Sequence, residues 1–355
     1  MKKLLSIILT TVLLLSGCTN LKNSSNNGEL EVYFIDVGQG DSVLVVCDNE
    51  AMLIDGGTSQ YSRKIYSFLK EHGIEHLKYI VATHPHEDHV GGLSAALSYA
   101  DCDELLTPVE TSDNTYYQKL IQKAEDQLVT VTVSKDGDTY SLGEAGIQVL
   151  GPTDELPDDV NNNSLVFRMD YKDTSFLFTG DAEQLEEQLL LYNHYDELNV
   201  DVVKVAHHGS YNSASSAWFK AVQPKYAIVS CGSGNSYGHP HEMTLNYLKE
   251  YVDDLYRTDL QGTIKCITDG YHISFETEKE TTIDVFTPGE EIVPTSSPIV
   301  TSENTTFILN TSSGIFHKID CDAVSKMNEK NREDVTDTKE DLIAQGYTPC
   351  GYCNP

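Results

Sequence analysis

The ten residues "THPHEDHVGG" (83–92) follow the apolar run Tyr79-Ile80-Val81-Ala82 and crowd three histidines and two acids into six positions. Histidine makes up only 12 of 355 residues, so this H-x-H-x-D-H string is not a product of composition. Its bland alternative is a solvated His-rich turn. Imidazole and carboxylate are ligands of borderline divalent ions, yet four such groups on one tight loop cannot reach a single ion without strain. Two ions relieve that geometry. His84 and His86 would hold one, while Asp88 and His89 turn toward the second. Asp181 in "FLFTGD" would bridge both, and "HHGS" (207–210) would complete the second site through His207. Ions about 3.5–4 Å apart share and ionise a water near neutrality and clamp both oxygens of a displacement.

Outward from this loop, residues 30–277 alternate short β-branched runs with amphipathic segments. "LEVYFIDVG", "DSVLVVCD", "AMLIDGG", "YIVATH", "GIQVLGP", "SLVFRMDY", "SFLFTGD", "VDVVKVAHHG", "KYAIVSCG" and "GTIKCITDG" read as strands. "SRKIYSFLKEHG", "TYYQKLIQKAE", "DAEQLEEQLLLYNHY" and "EMTLNYLKEYV" read as helices between them. The pattern is that of an α/β fold with sheets covered by helices on their outer faces. Asp36, Asp55, His84, Asp181 and His207 each come directly after a strand. Loops at adjacent strand ends converge, so these distant positions are expected in one cleft.

The chain resembles the metallo-β-lactamase fold superfamily, whose signature is H-x-H-x-D-H after a strand, then a bridging Asp and a further His. "FIDVGQGDS", "LIDGG", "THPHEDHVGG", "NNNSLV", "FLFTGD", "HHGS" and "YGHP" occur in this order. Together they resemble the extracytoplasmic metallo-β-lactamase-like domain of the ComEC competence-protein family, over roughly residues 30–278. That resemblance implies an αββα sandwich and a dinuclear hydrolase assigned to DNA degradation. One departure is plain: no histidine lies between His89 and Asp181. "NNNS" stands in that region, so Asn163 or Ser164 is expected to face the site as weak ligand or substrate contact. Neutral oxygen ligands would shift preference from zinc toward manganese.

Supporting residues carry weaker signals. Asp55 reads as a turn acceptor for backbone N–H groups, and Asp41 is undecided. His208 is expected either to orient His207 or to contact substrate. His239 in "GNSYGHPH" is expected to polarise a phosphate oxygen or protonate a leaving group, with a plain loop turn as the alternative. Asp88, His208 and His239 form the candidate catalytic set. His72, His76, His194, His241 and His272 have no spacing signal and read as surface or packing residues.

The ends of the chain read differently. Lys2 and Lys3 precede "LLSIILTTVLLL", too short for a comfortable membrane span, and the run ends in Leu15-Ser16-Gly17-Cys18. Residues 1–18 resemble a bacterial lipoprotein signal with Cys18 as the lipidated residue, anchoring the chain outside the cytoplasm. Residues 19–29 read as a flexible tether, 30–280 as the hydrolase domain, and the Thr/Ser/Pro/Glu-rich 281–305 as a linker. Residues 306–355 resemble a small Ada-like metal-binding module. His317, Cys321, Cys350 and Cys353 are expected to close a structural zinc site, the alternative being a disulfide between Cys350 and Cys353. Cys47, Cys102, Cys231 and Cys266 read as buried small hydrophobes.

A net charge of −31 weakens any basic-patch view of nucleic-acid binding. The expected cofactors are two divalent ions, zinc or manganese, plus one structural zinc. The expected substrate is DNA or another phosphodiester polymer, cleaved at the envelope, with the lipid anchor as the membrane contact. Two rivals stand beside it: a phosphodiesterase or phosphorylcholine esterase acting on cell-wall polymers, and a catalytically silent envelope binding protein.

Overall fold

The computed structural model describes residues 28–153, 160–289, 305–353 and 355. Cys18, the signal and most of the tether lie outside the described residues. Among the described residues, no helix is long and apolar enough to cross a membrane.

Two mixed sheets face each other. One contains eight strands in the spatial order Ile273–Thr277, Ile264–Thr268, Leu30–Phe34, Val43–Cys47, Glu50–Ile54, His76–Val81, Asp101–Thr107 and Thr130–Val133. The other has seven: Asp254–Arg257, Tyr226–Val229, Val202–Lys204, Thr174–Phe178, Val166–Tyr171, Ala145–Gly151 and Thr139–Leu142. Successive strand side chains point to opposite faces, so apolar residues on both parities cover both faces of a strand. In Val43–Cys47 (VLVVC), Val43, Val45 and Cys47 enter the core between the sheets, whereas Leu44 and Val46 enter an outer core. That outer core receives Ile65 and Leu69 of helix Ser62–Glu71 and Leu120 and Ala124 of helix Thr115–Asp126. The second sheet is covered in the same way by Leu190, Trp218, Phe219, Leu245 and Leu248 from helices Gln184–Asn193, Ser216–Val222 and Glu242–Tyr251. The layering is therefore αββα.

Packing continues past the expected boundary at residue 280. Val285 and Phe286 lie against the second outer core, and the buried Arg257 guanidinium donates to the carbonyls of Val285 (2.9 Å) and Thr287. Asp259 holds that guanidinium from the other side at 2.7 Å. The segment read as the start of a linker is thus, up to Gly289, tied to the hydrolase.

A third sheet has the order Arg332–Asp337, Thr305–Asn310, Ile315–Lys318, Thr348–Pro349. One face packs Phe307, Leu309, Phe316 and Leu342, the other Ile308, Cys321, Val324 and Cys350. Cores this small need a further staple.

Candidate metal centre

Strand direction brings the candidates together. His76–Val81 runs parallel to Glu50–Ile54, and Thr174–Phe178, Val202–Lys204 and Tyr226–Val229 are mutually parallel. Asp55, His84, Asp181 and His207 all leave carboxyl ends of these strands, where ligand clefts form in α/β sheets. Asp181 is the hub. Its Oδ2 lies 3.9 Å from His84 Nε2, 3.2 Å from His89 Nε2, 3.8 Å from His207 Nε2 and 3.5 Å from His208 Nε2. His86 Nδ1 stands 3.0 Å from His84 Nε2. Asp88 Oδ2 lies 4.0 Å from His89 Nε2 and 3.3 Å from His208 Nε2.

The ligand atoms of Asp88, His89, Asp181 and His208 all fall within 4.8 Å of one another. Of the adjacent pair it is His208, read from sequence either as orienting His207 or as contacting substrate, that joins His89 inside this cluster. Side chains of adjacent residues in a strand point apart. Here the backbone is left-handed at His207 (φ 48°), His208 (φ 55°) and Gly209 (φ 84°), and that turn lets both imidazoles reach one carboxylate oxygen. Left-handed backbone costs a non-glycine residue about 1–2 kcal/mol, so the surrounding contacts must hold it. His207 N donates to Gly180 O (3.2 Å), and Ser210 N to His207 O (2.8 Å).

A second layer aims the first, as is usual around metal-binding histidines. Asp55 accepts from Thr83 N (2.9 Å) and Thr83 Oγ1 (2.7 Å) and meets His89 Nδ1 at 2.8 Å. It orients His89, more than the turn acceptor read from sequence. Asp41 lies 3.2 Å from His208 Nδ1 and 2.8 Å from Lys204 Nζ, both ends of that ion pair being buried. Neither Lys204 nor Glu183, whose Oε1 is 3.1 Å from His207 Nδ1, was expected at the site. Ser164 Oγ accepts from Asp181 N (3.1 Å), and Asn162 Oδ1 accepts from Glu183 N and Glu186 N. "NNNS" therefore grips the loop that carries Asp181. Gly40 must be glycine, because a Cβ there would come within 2.3 Å of the Asp88 carbonyl.

Charge in this buried cluster calls for cations. Burial alone would push His89 down, but Asp181, Asp55 and Asp88 hold it well above its ordinary value. His208 rises against its own burial to about 10, through Asp181 and Asp41. Asp181 stays well below the carboxylate range despite full burial, because His208, His89 and His207 surround it. Burial and His89 drive His84 well down, so it is a neutral imidazole. Asp181 Oδ1 is buried with no hydrogen-bond partner among the described residues. Nitrogen and oxygen donors converging on an unsatisfied carboxylate fit divalent ions.

His239 is buried 5.6 Å, ring to ring, from His207 and 6.1 Å from His208. A cleft of about 620 Å³ opens beside His86, lined also by Pro85, Val109, Ser112, Gln118 and Asn163. A second of about 920 Å³ shares Asn163 and carries Glu110, Lys135 and Asp136. Of the remaining histidines, His72, His76, His194 and His272 sit in local contacts with Phe68 O, Asp103, Glu197 and Asp269. His241 accepts from Tyr211 N at 3.1 Å.

In the small sheet, ligand atoms of His317, Cys321, Cys350 and Cys353 also gather within 4.8 Å. All three cysteines are free thiols, as are Cys47, Cys102, Cys231 and Cys266. Lys318 N donates to Cys353 Sγ at 3.3 Å. Three sulfurs and one imidazole suit a closed tetrahedral zinc site, so the cluster fits a metal-binding module.

Comparison with known proteins agrees with this geometry. The Metallo-beta-lactamase superfamily profile matches residues 35–233. ComE operon protein 3 of Bacillus subtilis is 34% identical over 257 residues, covering 67% of this chain and 33% of that protein. Competence protein ComA of Neisseria gonorrhoeae is 29% identical over 256 residues, covering 72% and 35%. The chain thus spans about a third of the length of these relatives. Among solved structures, the metallo-beta-lactamase fold protein YhfI of Bacillus subtilis superposes with a TM-score of 0.45 at 12% identity, covering 64% of this chain and 95% of that one. With the paired sheets, the H-x-H-x-D-H loop and the Asp181 hub all in place, the chain belongs to the metallo-beta-lactamase superfamily.

Proposed function

We propose that this metal-dependent hydrolase cleaves phosphodiester bonds, with DNA as its leading substrate, while anchored outside the cytoplasm through Cys18. The observation that carries the reading is Asp181, one carboxylate oxygen within 4 Å of four imidazoles. His84, His86 and Asp181 would hold one ion; Asp88, His89, His208 and Asp181 would hold the other. Two such ions supply electrophilic activation of a phosphate and a nucleophile at neutral pH. His207, with Nδ1 beside Glu183, turns Nε2 toward the same centre as a further ligand or substrate contact. Asp88 is the most exposed carboxylate of the cluster, at 31%, and His89 and His208 hold it well below the usual carboxylate range, so it would act as an ionised acceptor that orients the nucleophile. Asn163 lines both clefts and would contact the substrate. One relative is named a competence protein, which favours DNA over a cell-wall polymer.

Substrate length follows from charge. Lys135 is the one cation lining the two clefts among the described residues, against Glu110, Asp113 and Asp136. Beyond the ions, Lys135 alone would attract a polyanion there and three carboxylates oppose it, so single-stranded ends or short phosphodiesters fit better than a long duplex. Added salt should then help binding by screening repulsion, opposite to the usual trend. The deciding experiment offers metal-loaded protein labelled DNA beside a teichoic-acid phosphodiester. Faster release from DNA supports the reading; cleavage of the cell-wall polymer alone replaces it with the esterase, and no cleavage of either with a binding protein.

A further inference from the structure

"DVGQGD" (36–41) contains a glutamine that neither the metal ligands nor their carboxylate partners use. Gln39 bridges two parts of the chain far away in sequence. Gly232 N donates to its Oε1 at 3.1 Å, and its Nε2 lies 3.3 Å from His239 Nδ1. The Gly232 backbone approaches so closely that a Cβ there would stand 2.7 Å from Gln39 N. With its carbonyl oxygen occupied by an N–H donor, the amide has one orientation: the NH₂ group faces the imidazole. An NH₂ group donates and cannot accept, so Nδ1 must carry the lone pair. The proton of the neutral ring then sits on Nε2.

Other contacts hold the loop that carries the ring, and one covers the ring itself. Asn235 accepts from His239 N (3.0 Å) and donates to His239 O (2.7 Å). Tyr237 stacks on the ring at 5.5 Å. From the far side, Gly289 N donates to Pro240 O (3.0 Å), and a Cβ at Gly289 would meet His239 O at 2.2 Å. An imidazole whose Nδ1 accepts from the Gln39 amide is the neutral form of the ring. A neutral ring is a poor proton source but a good hydrogen-bond donor.

We propose that Gln39 is a positioning residue that fixes His239 as the Nε2–H tautomer, so that the ring offers substrate a donor to a phosphate oxygen. The role in turnover rests on the phosphodiesterase reading; the tautomer does not. A preorganised donor to developing charge is worth about 10²–10³ in rate. Nitrogen-15 NMR of histidine-labelled, metal-free full-length protein at pH 7, with His239 assigned by its loss in His239→Gln, reads the tautomer directly. The expected spectrum has an unprotonated, pyridine-like Nδ1 and a protonated, pyrrole-like Nε2. In Gln39→Glu the isosteric carboxylate can only accept, so the proton should move to Nδ1. Metal-loaded Gln39→Glu should retain its metal content and KM for bis(p-nitrophenyl) phosphate, with kcat about 10²-fold lower. An Nδ1–H ring in the unmodified protein overturns the proposal whether or not any phosphodiester is cleaved. So does a Gln39→Glu spectrum with the proton still on Nε2. Failure of the unmodified enzyme on every phosphodiester, with the tautomer as expected, would instead remove the phosphodiesterase reading and leave the Gln39 contact standing.

Discussion

Asp181→Asn is the sharpest perturbation, because it removes one charge and almost no volume from the hub. The side chain is buried and its backbone N–H stays on Ser164 Oγ at 3.1 Å, so the loop has no steric reason to move. Two unit charges 4 Å apart interact by about 4 kcal/mol at an effective dielectric of ~20, and a divalent ion doubles this to about 8 kcal/mol. If half survives reorganisation, each ion loses about 4 kcal/mol, roughly three orders of magnitude in affinity. Replacing a ligand oxygen by an amide group also leaves fewer acceptors on a centre that has none to spare. The expected outcome is loss of both ions at micromolar free metal, no detectable turnover of bis(p-nitrophenyl) phosphate, and an unchanged far-ultraviolet circular dichroism spectrum. Elemental analysis after gel filtration provides the metal count. Two ions retained with a rate within about threefold of the parent would refute the bridging role, because no shared carboxylate could be dispensed with so cheaply.

Proton linkage provides an independent check: with His89 held well above its ordinary value and His208 at about 10, the metal-free site carries protons that ions must displace. Apparent metal affinity should therefore rise as pH climbs from about 6 toward 9, and calorimetry in buffers of different ionisation enthalpy should show net proton release; a flat profile contradicts it. Lys204→Met should destabilise the protein, toward the lower end of about 3–5 kcal/mol because buried Asp41 keeps His208 as a partner, with much of the loss recovered in a Lys204→Met, Asp41→Asn double variant. Thermal denaturation decides that case, and additive losses would count against a dedicated pair. Cys350→Ser should release the metal of the small module and expose it to protease while leaving the dinuclear site loaded, as native mass spectrometry can report. Ending the chain after Gly289 should preserve hydrolysis of a small phosphodiester, whereas ending it at Glu280 should not, because only the second cut strips Arg257 of its partners at Val285 and Thr287.

What could be read in advance was chemistry confined to short stretches. H-x-H-x-D-H needs no tertiary information to look like a ligand loop, and "FLFTGD" marks a carboxylate at a strand end by local pattern alone. Strand Asp101–Thr107, by contrast, begins "DCDE", where acids at its exposed end hide the period of a strand that is buried only over its last three residues. The His207 and His208 pair was ambiguous for a related reason. Which of two adjacent imidazoles reaches Asp88 depends on left-handed backbone that only Gly209 hints at. Lys204 lay deeper still, since a lysine in "VDVVKVAHH" reads as the solvent face of a strand until a buried carboxylate is known to lie opposite. That carboxylate, Asp41, comes from a loop on the other sheet, held there by Asp41 N donating to Asp88 O at 3.1 Å. Gln39 follows the same logic, because its amide matters only once Gly232 and His239 from the second sheet close around it. Candidate first-layer residues are thus largely legible in sequence because metal chemistry restricts their residue types. The groups that aim them can be any donor or acceptor of the right reach, and only the facing of the two sheets selects which ones serve.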